Sequence, residues 1–177
     1  MSVQAPSDRR SAVLDSALDT FARFGYRKTS MEEIARAAQI SRPGLYFLFA
    51  SKEELFRSAV SQALEADVAE VSRILADSER PLRDRLFDAF DRWAGRYVGP
   101  MTRDIQVVID ENPALLGELV TSYPKRFADS IAQSLPRRET DALTQTLISV
   151  SIGIKHQVDE REQYRKRFAV ALDLLLR

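Results

Sequence analysis

The side chains that are best suited to bind a partner lie around Arg42. Arg42 could place its guanidinium against the O6 and N7 atoms of a guanine, and Gly44 would let the backbone approach a base edge closely. Pro43 could contact a thymine methyl group, whereas Tyr46 and Lys52 could hold phosphates on either side. This is the chemistry of a surface that reads duplex DNA, and it requires these residues to lie at the exposed start of a helix.

Hydroxyl groups precede this cluster. Thr29 and Ser30 could offer their hydroxyls, together with the N-terminus of a helix, to a phosphate. The alternative is an ordinary helical corner, with the aromatic side chains Tyr46, Phe47 and Phe49 in the core and the basic side chains solvated. Under the DNA-reading interpretation, we expect contacts from Thr29, Ser30, Ser41, Arg42, Pro43, Gly44, Tyr46, Phe47 and Lys52.

Helix signals place these residues on two short helices joined by a tight turn. Ser30 and Glu33 have the spacing of a capping box, so a helix is predicted to begin after Ser30. Gln39 and Ile40 form the turn, and Ser41 caps the next helix. Two such helices constitute a helix-turn-helix, which reads DNA through the first residues of its second helix.

Further helices are predicted on both sides of this motif. One runs from about Arg9 to Phe24 and ends at Gly25, where a left-handed backbone is favourable. A long one follows, capped by Ser51 with Glu54, and continues to about residue 77. Beyond it, apolar spacing predicts helices near residues 82–97, 103–110, 112–135, 140–156 and 160–176.

Two features of this later region refine the prediction. Pro124 lies inside one of the predicted helices and is expected to kink or break it. No stretch shows the period-2 alternation of a strand. The chain is therefore predicted to be all-α, with about nine helices.

Composition restricts the possible functions. The 177 residues include no Cys and one His, which excludes disulfides, thiolate metal sites and Cys nucleophiles. No carboxylate pair surrounds a plausible cleft, so no enzymatic reaction, cofactor or metal site is expected. The absence of a long apolar run and of a signal-peptide pattern predicts a cytoplasmic protein. The net charge is zero, but residues 23–52 carry six basic and two acidic side chains, and this local excess would attract phosphates.

Residues 10–57 resemble the N-terminal domain of the TetR family of ligand-responsive transcriptional repressors. Two positions depart from the family pattern: Gln39 stands where the family usually has Gly, and Leu48 where it often has a phosphate-binding His or Tyr. A left-handed backbone at Gln39 would cost on the order of 1 kcal/mol, and Leu48 can make no phosphate bond. The matching residues are Leu14, Ala17, Phe21, Gly25, Tyr26, Thr29, Ser30, Ile34, Ala35, Ala38, Ile40, Ser41, Leu45, Tyr46, Phe49, Lys52, Leu55 and Phe56.

The resemblance implies a homodimer with a DNA-binding domain at residues 1–51 and a ligand-binding and dimerisation domain at residues 52–177. Small apolar or aromatic ligands would suit a pocket lined by Trp93, Tyr97, Met101, Ile105, Val108, Ile109, Tyr123 and Phe127, although simple core packing is the alternative for each. The last two helices would form the dimer interface through Leu143, Leu147, Val150, Ile154, Phe168, Leu172 and Leu175, which could equally be the inner face of a monomeric core.

Together these observations predict a homodimeric repressor that binds a pseudo-palindromic operator and releases it when a small-molecule effector binds. Two other functions stay open. One is a DNA-binding regulator without a small-molecule pocket, controlled by a protein partner. The other is a helical adaptor that does not bind DNA and whose behaviour toward DNA would be independent of salt.

Overall fold

The computed structural model describes residues 6–99, 113–136 and 140–176, and these residues form helices and connecting turns without a strand. Within these ranges the prediction of an all-α fold with about nine helices is confirmed. The α-helices are α1 (Pro6–Phe24), α2 (Met31–Ala37), α3 (Arg42–Leu48), α4 (Lys52–Ala76), α5 (Leu82–Trp93), α6 (Pro113–Leu116), α7 (Leu119–Ser134), α8 (Thr140–Gln157) and α9 (Arg161–Leu175), with a 3-10 helix at Gly95–Tyr97.

The first compact unit contains the described residues 6–64 and 113–119. Its core joins α1, α2 and α3 to the first turns of α4. The rings of Phe21 and Phe56 meet edge to face with their centroids 5.1 Å apart, and Tyr26 lies 4.9 Å from Phe56. Each such aromatic pair contributes about 0.5–1.5 kcal/mol beyond its burial. These contacts hold the end of α1 against the start of α4.

The second compact unit contains the described residues 65–99, 120–136 and 140–176. Phe90 of α5 occupies the centre of its core, with ring centroids 5.0 Å from Phe127 of α7 and 4.7 Å from Phe168 of α9. A Cβ added at Gly95 would lie 2.4 Å from Oδ1 of Asp91 and 2.8 Å from the ring of Tyr164. Only glycine therefore lets the 3-10 helix approach α9 so closely.

The division between the units falls inside α4, after Leu64, rather than at the start of that helix. Leu55, Phe56 and Ala59 of α4 are buried in the first core, whereas Val68, Val71 and Ile74 are buried in the second unit. The predicted boundary at residue 51 followed the cap of α4, but the packing of its apolar side chains assigns the first turns of α4 to the first unit.

Pro124 does not break its helix. It lies inside α7, and the interruption occurs earlier, at Gly117, whose φ is 55°. The missing N–H of Pro124 removes one hydrogen bond, to the carbonyl of Val120, and Val120 is exposed to water. Left-handed backbone at a glycine therefore separates α6 from α7. The helix predicted at residues 103–110 lies outside the described residues. No helix in the described ranges is long and apolar enough to span a membrane.

Candidate nucleic-acid interface

The turn between α2 and α3 contains a left-handed residue at Gln39. Its φ is 54°, and Gln39 is the only non-glycine residue with a positive φ in the part of the chain that the structure describes. The N–H of Ile40 donates to the carbonyl of Ala35 at 3.0 Å across the turn. The departure from glycine at this position is thus accommodated, and burial of Ile34 and Leu45 beside the turn offsets its cost of about 1–2 kcal/mol.

The capping residues predicted for this region are in place. Ser41 Oγ accepts a hydrogen bond from the N–H of Gly44 at 3.1 Å, and Pro43 lies in the first turn of α3. Ser51 Oγ accepts from the N–H of Glu54 at 3.1 Å, but the carboxylate of Glu54 accepts from Ala50 rather than from Ser51. The start of α4 is therefore capped. The carboxylate of Glu54 accepts from the residue before Ser51, where a capping box would have it accept from Ser51 itself.

Helix α3 presents aromatic and basic side chains to solvent. Leu45 and Phe49 are buried beneath it, whereas Tyr46 is exposed and Phe47 is 90% exposed. Arg42 and Pro43 are exposed at its first turn. The alternative in which Tyr46 and Phe47 belong to the core is wrong, because the core-facing positions are held by Leu45 and Phe49. A nearly fully exposed Phe beside an exposed Tyr forms an apolar surface that water solvates poorly.

Arg42 is free to reach outward. Its guanidinium carbon lies 5.7 Å from the centroid of the Tyr46 ring, and no carboxylate of the described residues pairs with it. A Cβ added at Gly44 would lie 3.0 Å from Ser41 Oγ, so a larger residue would press on the cap. In the first turn of α3, the Arg42 guanidinium therefore has no carboxylate partner among the described residues. The backbone beside it, at Gly44, carries no side chain.

Thr29 is not on this surface. Its side chain is 2% exposed, and its hydroxyl donates to the carbonyl of Gly25 at 2.8 Å. The prediction of a phosphate contact at Thr29 is therefore corrected: the residue fixes the turn between α1 and α2. The apolar pattern of the sequence did not predict the burial of Thr29. A hydroxyl that donates to a nearby backbone carbonyl can be buried at a position outside that pattern.

Ser30 is exposed, but its hydrogen-bonding groups are occupied. Its N–H and its hydroxyl both donate to Oε2 of Glu33, at 2.7 and 2.8 Å, and the N–H of Glu33 donates to Ser30 Oγ at 3.2 Å. The capping box is thus confirmed. The hydrogen bond from the Ser30 backbone is the main cause that lowers the pKa of Glu33 below its usual value. A carboxylate already occupies the anion position at the start of α2, and the phosphate contact of the exposed Ser30 stays a prediction.

Lys52 is largely used inside the first unit. Its Nζ donates to the carbonyls of Tyr26 and Thr29 at 3.1 and 3.2 Å and lies 4.4 Å from the centroid of the Tyr26 ring. An ammonium has three donors, so one at most is left for a phosphate. The clamp predicted from the sequence becomes a tie between α4 and the turn that precedes α2. Burial, followed by the neighbouring Glu53, raises the pKa of Tyr26 to about 12.

In the second unit the predicted ligand-binding aromatics contact one another. Trp93 stacks on Phe127 with ring centroids 4.8 Å apart and planes 7° apart. Tyr123 donates to Glu65 at 3.1 Å, and hydrogen bonds from Arg126 are the main reason that the pKa of Glu65 falls to about 2. Tyr97 donates to Asp67. These side chains have structural partners, and their part in ligand binding stays a prediction. Met101, Ile105, Val108 and Ile109 lie outside the described residues.

Two buried aspartates were missed by the sequence analysis. Asp67 Oδ1 accepts a hydrogen bond from Arg96 at 2.7 Å and forms an ion pair with Arg92 at 2.7 Å, and Asp91 pairs with Arg161 and Arg165. Asp67 interrupts the apolar stripe of α4, which continues on both sides of it. A charged residue within such a stripe was the one indication of its burial. No signal marked Asp91.

The residues predicted to form a dimer interface are mainly core. Leu147, Ile154, Phe168 and Leu172 are buried within the second unit, so they offer no surface to another chain. This part of the prediction is wrong, and the monomeric alternative applies to them. Leu143, Val150 and Leu175 are partly buried and pack against the same core. The outward faces of α8 and α9 instead expose Ile152, Val170 and Leu174 at 53%, 59% and 59%.

Comparison with known proteins identifies similar regulators. A family model described as bacterial regulatory proteins, tetR family, matches residues 13–59. The HTH-type transcriptional regulator RutR of Escherichia coli K12 is 32% identical in an alignment of length 139 that covers 67% of this chain and 65% of RutR. The chain therefore spans just under two thirds of the length of that relative.

Solved structures share the fold along nearly the whole chain. A protein from Mesorhizobium loti MAFF303099 that is assigned to the TetR family of transcriptional regulators superimposes with a TM-score of 0.74 at 20% identity, covering 98% of each chain. A transcriptional regulator from Saccharomonospora viridis, solved in complex with choline, gives 0.73 at 18% identity, covering 94% of this chain and 96% of that one. These similar proteins are named as regulators rather than enzymes.

Proposed function

We propose that this chain, which belongs to the tetR family of bacterial regulatory proteins, is a transcriptional regulator that binds duplex DNA at specific sequences. The observation that carries the proposal is the outward face of α3. It exposes Arg42, Pro43, Tyr46 and Phe47 above a buried Leu45, at the second helix of a helix-turn-helix. Such a helix has no other evident use for an unpaired guanidinium beside two exposed aromatic rings.

The dimensions of DNA set the role of each side chain. The major groove is about 12 Å wide and admits one α-helix of about 10–12 Å in diameter. With the first turn of α3 inserted, Arg42 would reach base edges, and a guanine would accept two hydrogen bonds from its guanidinium. Pro43 would lie near thymine methyl groups. Tyr46 and Phe47, further along the helix, would face the sugar–phosphate walls of the groove.

A selection experiment tests the proposal. The full chain is incubated with a library of random-sequence duplexes, and the bound fraction is amplified and sequenced over several rounds. The proposal predicts enrichment of one motif and binding that weakens steeply as salt is raised, because phosphate contacts release counterions. Recovery of no enriched motif, with binding that does not depend on salt, would favour a helical adaptor instead.

The regulator is proposed to act as a homodimer through the outward faces of α8 and α9. Ile152, Val170 and Leu174 expose apolar surface on these two helices, and the i, i+4 spacing of Val170 and Leu174 gives one continuous stripe. A two-fold axis through this surface would pair identical patches. Two copies of α3 would then read half-sites separated by about 34–36 Å, and the enriched motif is expected to be pseudo-palindromic.

We further propose that a small apolar or aromatic effector releases the dimer from its operator, as a repressor requires. The proposal rests on family membership and on the aromatic side chains of the second unit, and the choline-bound structure shows that a protein of the same fold can hold a small molecule, in that case a cation. Release demands that the effector bind the DNA-free form more tightly than the bound form. Helix α4 contributes side chains to both units and would transmit the change.

Trp93 offers a direct reporter for this step, because it is the only Trp in the chain and stacks on Phe127. Compounds are screened for a change in Trp fluorescence and in melting temperature, which ligand binding raises. Compounds that respond are then tested against the complex with the selected duplex. If these compounds are effectors, the affinity for DNA should be lower in their presence. Equal affinity with and without them would contradict the proposed release by an effector.

A regulator controlled by a protein partner is the second candidate. Two contacts favour it: Trp93 stacks on Phe127, and the hydroxyl of Tyr97 donates to Asp67. Rings and hydroxyls that already have partners within the chain are less available to bind a ligand. This candidate predicts that no small compound alters the fluorescence of Trp93 while the selected duplex is still bound specifically.

A further inference from the structure

An open groove of about 250 Å³ lies beside α3 in the first unit. It is lined by Arg9 and Arg10 of α1, by Ile40 and Ser41 before α3, and by Gly44, Phe47 and Leu48 of α3. We call it the α1–α3 groove. It is smaller than the roughly 300–1,000 Å³ of typical small-molecule sites. Its size and its mixed basic and apolar lining suit a narrow chain with an anionic group.

The place of the α1–α3 groove limits what can fill it. It borders α3 along the positions of Gly44, Phe47 and Leu48. When a helix fills the major groove, the structures that flank it on either side are the two sugar–phosphate backbones. A cleft along the side of α3 therefore faces a backbone rather than base edges.

We propose that the α1–α3 groove seats a segment of the DNA backbone, with Arg9 as the cation that binds its phosphate. The inference rests on the proposed function and adds a contact from α1 that helix-turn-helix residues alone do not supply. Leu48 lines the groove but cannot bond a phosphate, and the Ser41 hydroxyl carries no charge and already caps α3, so a cation for the phosphate has to come from another residue. Arg9, across the groove from α3, has the required guanidinium.

The two arginines of the groove differ in availability. Arg10 places its guanidinium carbon 4.6 Å from the centroid of Phe49, a core residue, so its side chain is engaged in packing. Both arginines are exposed, but Arg9 has no ring contact or carboxylate partner among the described residues. It also lies in the first turns of α1, where a positive charge opposes the helix dipole and does not stabilise the helix. Its position is better explained by an external anion.

The apolar part of the groove matches the rest of the backbone. Phe47 and Ile40 offer carbon surface beside the arginines, and a deoxyribose presents mainly C–H groups. Contact with this sugar would remove from water the ring that is most exposed in the first unit. The groove would thus bind charge and apolar surface of one nucleotide at once, without reading its base.

The test uses Arg9→Ala and Arg9→Lys in the full chain, with a duplex selected by the unaltered chain and a scrambled duplex of equal length. Affinity is measured over a range of salt concentrations. The proposal predicts that Arg9→Ala flattens the plot of log affinity against log salt by about 0.9 per bound chain. The change should be equal for both duplexes, and Arg9→Lys should keep most of the original slope.

The control is Arg73→Ala, which removes the same charge at an exposed position about 30 Å along α4 from Lys52 and should leave the slope unchanged. An unchanged slope in Arg9→Ala, with normal binding by the unaltered chain, would overturn the assignment while leaving the proposed function intact. A loss confined to A·T-rich duplexes would also overturn it in favour of minor-groove reading. If the unaltered chain binds neither duplex, the proposed function itself fails.

Discussion

Leu45 and Phe47 stand two positions apart on α3 and face opposite ways, with Leu45 0% exposed and Phe47 90% exposed. The first closes the core of the helix-turn-helix, and the second extends into solvent. Helical geometry separates positions i and i+2 by about 200°, so both placements follow from one backbone. Leu45 therefore stabilises the first unit, whereas Phe47 is available to contact a partner.

We therefore expect Phe47→Ala and Leu45→Ala to have opposite signatures. Phe47→Ala should change the free energy of unfolding by less than about 0.5 kcal/mol, because the ring has few contacts to lose. It should weaken DNA binding about tenfold through lost apolar contact. Leu45→Ala should lower the free energy of unfolding by about 2–5 kcal/mol. Urea denaturation and DNA titration measure the two effects, and a strongly destabilised Phe47→Ala would contradict the exposed placement.

Lys52→Met should destabilise the first unit as well as weaken DNA binding. The ammonium donates to two backbone carbonyls that lose their partner in the variant, and charged hydrogen bonds of this kind contribute about 1–3 kcal/mol. Lys28→Met, at an exposed position in the preceding turn, is the matched control and should leave the melting temperature unchanged. If Lys52→Met melts like the unaltered chain and only its DNA affinity falls, the lysine is a phosphate clamp after all.

Asp67→Asn should be strongly destabilising. The carboxylate is buried and neutralises Arg92 and Arg96, so the amide would remove the buried counter-charge that these two guanidinium groups share. Removing one partner of a buried ion pair costs about 3–5 kcal/mol, and partial exposure of the arginines places the expected loss near 3 kcal/mol. Glu70→Gln, which breaks an exposed ion pair on the same helix, should have a much smaller effect. Equal denaturation midpoints for the two variants would contradict this account.

Leu174→Glu and Val170→Glu should convert the proposed homodimer to a monomer. Each places a charge on the apolar stripe of α9, and an unpaired charge at the centre of an interface is strongly unfavourable. Val120→Glu introduces the same charge at an exposed apolar position on α7 and serves as the control. Sedimentation velocity should give monomers for the first two variants and dimers for the third. A dimer in all three would place the interface elsewhere.

Local features of the fold could be predicted because they depend on neighbours in sequence. Ser30 with Glu33, the left-handed Gly25 and the turn at Gln39 all follow from capping and backbone rules, and the structure confirms them. These rules act over three or four residues, so they need no knowledge of tertiary packing.

Features that depend on distant partners could not be predicted. The amphipathic pattern of α8 and α9 identifies Leu147 and Phe168 as a buried stripe, but it does not say whether the chain itself or a second copy covers them. Burial of Asp67 depends on arginines about 25 residues away in sequence, which no periodicity reveals. Exposure of Phe47 contradicts its hydrophobic type, and the packing of the first unit does not require it.

The most direct test of the central claim is the sequence preference of Arg42→Ala. Affinity is measured for the selected duplex and for a set in which each base pair is replaced in turn. Loss of the guanidinium should cost about 1–3 kcal/mol on the selected duplex and abolish discrimination at one base pair per half-site. Arg36→Ala, an exposed arginine on α2, should leave every preference intact. Uniform weakening across all duplexes, with every preference retained, would contradict the assignment of α3 as the helix that reads the bases.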